Sequence, residues 1–98
     1  MDDDIYTDFI ETFPEYKDPA RVDEIDENEM KSKEGKDRWR TFMMRYEKIV
    51  DDYNFGTLLR TGSKEEYGEK TTIFVPRMQF YAIEIARNRA GLNDWIKK

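Results

Sequence analysis

The acidic pairs Asp51–Asp52 and Glu65–Glu66 are the first place to look for metal binding or proton transfer. Adjacent residues on a helix point about 100° apart, so Asp51 and Asp52 do not converge on one ion. They read as a solvated helix end. No run of acidic residues at alternate positions closes with Glu, as a calcium loop requires. Asp52–Tyr53–Asn54–Phe55–Gly56 lacks the Asp-Phe-Gly order of a kinase metal loop. No glycine-rich stretch that cradles phosphate occurs anywhere. The sequence has no His and no Cys. That removes the commonest general base, the usual zinc ligands, thiolate chemistry and disulfides. The chain is therefore expected to be no enzyme, with no cofactor and no metal.

Arginine carries the remaining chemistry. Arg60 closes one apolar stretch, and Arg77, Arg87 and Arg89 flank or enter the most apolar one, beside Phe80 and Tyr81. Two readings are open. Glu84 and Arg87, three residues apart, can pair along a helix and orient it. Alternatively the arginines form a partner-binding patch, since their planar fork bonds carboxylates bidentately and stacks on rings.

The bounds are narrow. Ninety-eight residues make one domain, here residues 1–98. Net charge is −5 and the isoelectric point is near 4.8. An acidic chain has no field to attract nucleic acid or an anionic membrane. No apolar run approaches the roughly 20 residues needed to span a bilayer. The acidic Met1–Asp4 segment is no signal peptide. A soluble monomer, cytoplasmic or nuclear, is expected. Charged residues are 40% of the chain and apolar ones 38%, so six Phe, six Tyr and two Trp must supply much of the core.

The elements that position these residues are mainly helical. Ile5, Phe9 and Phe13 recur every four residues after three aspartates, predicting a helix over Asp2–Phe13 that Pro14 ends. Asp18 can cap a short turn begun by Pro19. Asp26–Lys36 reads as a solvated loop or a short surface helix. Trp39, Phe42, Met43, Tyr46, Ile49, Val50 and Tyr53 form one face of a predicted helix over Lys36–Tyr53. Asn54–Gly56 stops it. Phe55–Arg60 and Thr71–Val75 read either as a short β-hairpin or as a helical continuation followed by an extended arm. Pro76 opens the last helix, apolar on most sides and hence central, and Gly91 caps it. Leu92–Lys98 is a tail, docked by Leu92 and Trp95. The expected core holds Trp39, Phe42, Tyr46, Ile49 and Ile85.

The long motifs Asp52–Arg60 and Pro76–Arg89, with Trp39 and Phe42 before them, closely resemble a eukaryotic family labelled "polysaccharide biosynthesis domain-containing". Ile5–Tyr6, Phe9 and Phe13 fit its first aromatic segment, and the likeness covers roughly residues 3–93. The resemblance implies a small domain of orthogonally packed helices and no demonstrated sugar chemistry. It also implies a dedicated chaperone. Such a factor binds the nascent GTP-binding domain of translation elongation factor 1-alpha, at the ribosome, and releases it on folding. The residues expected to bind the partner are Asn54, Phe55, Gly56, Arg60, Arg77, Arg87 and Arg89, all inside the family-like segments. Members of the family carry a further helix before Ile5–Tyr6 and a charged C-terminal tail, so this sequence reads as a trimmed or minimal form. A scaffold subunit and a glycan-biosynthesis accessory are the competing functions.

Overall fold

A computed structural model describes residues 2–94. Helix α1 runs Asp2–Thr12, with Ile5, Phe9 and Ile10 on its buried face. Its three leading aspartates face the positive end of the helix dipole. A 3-10 turn, Pro14–Lys17, follows. In α2 (Pro19–Asp23) the Asp18 carboxylate accepts from the Ala20 N–H at 3.0 Å. The polar stretch that sequence left open contains a short α3 (Glu27–Met30), capped by Asp26. The Ser32 hydroxyl accepts from the Gly35 N–H at 3.1 Å and starts α4, Lys33–Met44.

One aromatic cluster joins these helices. Trp39 stacks on Phe13 with ring centroids 4.4 Å apart and meets Phe42 edge-on at 90°. Phe9 sits among Phe13, Tyr16, Trp39 and Phe42. Beside the cluster, Arg38 donates to both Glu15 carboxylate oxygens at 2.8 and 3.0 Å. That hydrogen bond holds the Glu15 carboxyl below its usual 4.5. A depressed folded value means that the contribution is complete above the unfolded value and is lost as pH falls through the folded one. Thermal melts should therefore show a steeper acid loss of stability for the wild-type chain than for Glu15→Gln. Identical curves below about pH 4.5 would exclude that contribution.

Helix α4 ends nine residues before the expected Tyr53. Asp8 on α1 meets the two residues that follow. It pairs with Arg45 at 2.9 Å and accepts the Tyr46 hydroxyl at 2.8 Å. From Arg45 the backbone tightens into bonds three residues apart, such as Tyr46 N–H to the Met43 carbonyl and Ile49 N–H to the Tyr46 carbonyl. Three residues per turn break the 3.6-residue phase of the apolar face. Tyr46 stays buried, but Ile49 swings out to 56% exposure. Ile49 is thus not a core residue, and Ile85 is only partly buried against the core.

The hairpin reading is the correct one. Strands β1 (Gly56–Arg60) and β2 (Thr72–Pro76) pair antiparallel, with Leu58 opposite Phe74 and Leu59 opposite Ile73. Helix α5, Arg77–Arg89, packs on α1, α2, α4 and both strands. Met78, Ala82, Ile83 and Ala86 are buried along it. It closes on Gly91 at φ +74°, with Leu92 N–H bonded to the Arg87 carbonyl and Gly91 N–H to that of Asn88. This pair of bonds is the Schellman closure, and it needs the left-handed angle that glycine adopts freely. The expected docking of Trp95 lies outside the described residues. The fold is a small, largely helical domain with one two-stranded hairpin.

Candidate protein-interaction surface

Arg60 and Arg87 face inward. Arg60 is 2% exposed and donates to the Ser63 carbonyl at 2.8 Å, the Asn93 side-chain oxygen at 2.9 Å and Glu84 at 3.2 Å. Arg87 is fully buried and donates to the Val22 carbonyl at 2.7 Å and to Glu84 at 3.0 Å. Burial lowers the Arg87 pKa, and the hydrogen bond that Arg87 donates to Glu84 opposes that shift. One carboxylate thus serves two buried cations, tying β1 to α5, while Arg87 also holds the end of α2. Neither residue can touch a partner in this fold, which corrects their expected role. Asn93, the fourth side chain of the network, carried no signal in the sequence.

The other predicted residues divide. Arg89 is exposed near the end of α5, 4.3 Å over the Tyr6 ring and 2.9 Å from Asp3. Arg77 stands at the opposite end of that helix. The two are twelve residues apart, about 18 Å along the axis, so the arginines form no common patch. Arg77 instead joins Asn54, Phe55 and Gly56. Its guanidinium lies 5.2 Å over the Phe55 ring and 4.0 Å from Asp52. Its backbone N–H donates to the Phe55 carbonyl at 2.7 Å.

The outer face of the hairpin extends this group. Leu59, Ile73 and Val75 point into the core, so Leu58 and Phe74 point away from it, where a half-buried strand carries polar residues. Phe55 is 59% exposed, Leu58 48% and Phe74 68%. The Phe74 ring lies across Gly56, where an added Cβ would stand 2.1 Å from its outermost carbon. Glycine here is what lets the ring lie flat on the strand. Sequence reasoning overlooked Leu58 and Phe74. Their signal was apolar residues on both phases of a two-residue alternation.

Among the described residues no three acidic side chains gather as a metal site. Asp51 and Asp52 lie exposed on a turn, and Glu65 and Glu66 lie exposed in the loop between the strands. No helix is long and apolar enough to cross a membrane.

A family model described as PBDC1 protein matches residues 1–98. The chain belongs to the PBDC1 family. It is similar to a PBDC1 homolog of Schizosaccharomyces pombe, 67% identical over 97 residues, covering 99% of this chain and 66% of the relative. A Saccharomyces cerevisiae homolog is 62% identical, with 98% of this chain and 66% of the relative covered. Human PBDC1 is 47% identical over 93 residues, which are 95% of this chain and 38% of the human protein. A solution NMR structure of a Saccharomyces cerevisiae protein superposes with a TM-score of 0.91 at 62% identity, covering 97% of this chain and 65% of that one. The chain thus spans just under two thirds of the yeast relatives and well under half of the human one. The PBDC1 family is the one whose motifs the sequence resembles.

Proposed function

We propose that this PBDC1-family domain is a client-specific chaperone: it binds the nascent GTP-binding domain of translation elongation factor 1-alpha in the cytoplasm and releases it on folding. The observation that supports the reading is the apolar outer face of the hairpin, Leu58 and Phe74, with Phe55 exposed just before β1. Exposed apolar patches of this kind mark surfaces that bind other proteins. Arg77 and Asn54 border it, matching the pattern of an apolar centre with a polar rim. The domain acts as a monomer and needs no metal or nucleotide of its own. Any GTP dependence belongs to the client. The client's identity comes from the family resemblance, and the surface supplies the means.

The test is capture of the newly translated GTP-binding domain on immobilised chain, beside an unrelated nascent protein and a panel of nucleotide sugars. Selective retention of the GTP-binding domain is expected. Equal retention of both proteins, or binding of a sugar nucleotide alone, would sink the reading. Phe74→Asp and Leu58→Asp should each weaken capture by about 2 kcal/mol, roughly thirtyfold, the scale of an interface hot spot. Because both positions are exposed, the melting temperature should hold. Undiminished capture by both variants would place the client elsewhere.

A further inference from the structure

Beside the hairpin, between β2 and α4, runs a groove of about 460 Å³. Its apolar walls come from Met30, Trp39, Met43 and Val75. Lys31, Lys36 and Arg40 stand along it, and no carboxylate lines it. This is unusual on a chain with 22 acidic and 17 basic residues. The cleft beside Phe13 and Trp39 carries Glu15, Glu29 and Glu34, and the one beside Ile49 carries Asp2 and Glu84. Lys36 and Arg40 lie four residues apart on α4, so one face of the helix presents both. Lys36 has no carboxylate within ion-pair distance among the described residues. Lys31 reaches Glu27 at 3.1 Å and Arg40 reaches Asp37 at 3.9 Å, both pairs well exposed. Exposed pairs of this kind are weak and exchange readily for a better partner.

The β2 wall offers backbone as well as side chains. Arg77 N–H donates to the Phe55 carbonyl, and Thr61 N–H donates to the Thr71 carbonyl. With the register fixed, alternation makes Thr57–Val75 and Leu59–Ile73 the hydrogen-bonded pairs. Leu58–Phe74 is then a non-bonded pair. The Phe74 N–H and C=O point away from β1, along the free edge of β2. Phe74 also lines the groove, and no backbone hydrogen bond from outside the strand pair reaches it among the described residues. Pro76, next in phase, has no N–H to offer and limits pairing at that end.

We infer that this groove binds an extended, acidic segment of a partner protein by strand addition to the free edge of β2. The incoming strand exchanges backbone hydrogen bonds with Phe74. Alternate apolar side chains enter the groove toward Met43 and Trp39, and carboxylates on its borders meet Lys31, Lys36 and Arg40. Strand addition takes its affinity from the main chain and its specificity from such alternate pockets. The inference rests on the reading of this domain as a protein-binding module. It does not depend on which client is captured.

The experiment is an NMR titration of the isotope-labelled chain with a capped peptide of roughly ten residues alternating Glu and Val, the upper end of usual strand length. Three controls accompany it: the Lys–Val counterpart, a Glu–Val peptide N-methylated along one edge, and a Lys36→Glu/Arg40→Glu chain. Saturable shifts at the amides of Phe74, Lys36 and Met43 are expected with the Glu–Val peptide. The Lys–Val and N-methylated peptides should bind at least about tenfold more weakly, and the charge-reversed chain should prefer Lys–Val. Equal binding of the two charge forms, shifts gathered at Phe55 and Leu58 alone, or no shift up to about 1 mM peptide would each overturn the inference. If the elongation-factor domain is not captured while Glu–Val seats in the groove, the client reading falls and this one stands. If the domain is captured and the groove stays silent, the reverse holds.

Discussion

Replacing Arg87 with Ala is expected to cost about 3–5 kcal/mol of folding stability, the range for breaking a buried, hydrogen-bonded ion pair from one side. The side chain is fully buried, so nothing replaces it when it is removed. The Val22 carbonyl loses a donor at 2.7 Å, and Glu84 keeps only Arg60 as its buried cation. A void then opens between α2 and α5. Small domains hold about 5–15 kcal/mol in all, so this loss takes a large share. Urea unfolding of Arg87→Ala beside Arg89→Ala gives the measurement. Arg89 makes an exposed pair with Asp3, and its removal should cost at most about 1 kcal/mol. Equal, small losses at both positions would mean that the Arg87 guanidinium is solvated. The consequence for function is indirect. The same carboxylate holds Arg60 at the end of β1, so loosening it should loosen the hairpin that presents Leu58 and Phe74.

The contrast between Arg87 and Arg89 shows where sequence reasoning stops. Both lie in one helical motif, two residues apart, and their type gives no sign of side. Burial depends on what lies across from each: the carbonyls of Val22 and Thr61 for Arg87, the Tyr6 ring for Arg89. Local rules served well where the cause was local. Pro14 ends α1, Asp18 caps α2, and Gly91 closes α5, each through neighbours within a few positions. The early end of α4 was not legible, and the residue that Arg45 and Tyr46 meet just past it, Asp8, is 37 and 38 positions away. The hairpin stayed undecided for a similar reason. Its strands are short, a loop of more than ten residues separates them, and the α5 surface on which both strands pack is not visible in either stretch alone. The groove beside β2 was illegible for the same cause, since its walls come from α3, α4 and β2, which only the fold brings together.

Trp39→Ala should cost about 3–5 kcal/mol, the usual loss for deleting a buried large aromatic. Trp39 is 3% exposed and its ring touches Phe9, Phe13 and Phe42, with centroids 5.6, 4.4 and 5.7 Å away. These partners come from α1, the loop after it and α4, so the ring bonds the first half of the chain into one core. Their own positions are fixed by further stacking, so collapse into the space should be incomplete, which puts the cost at the upper end of the range. Trp39→Phe keeps a ring in the cluster and should lose much less. Urea unfolding of both variants measures the difference, and a loss under about 1 kcal/mol for Trp39→Ala would show that the cluster does not carry the fold. Trp39 also lines the groove between α4 and β2. If Trp39→Phe stays folded yet changes peptide binding there, the ring serves the core on one side and the docking surface on the other.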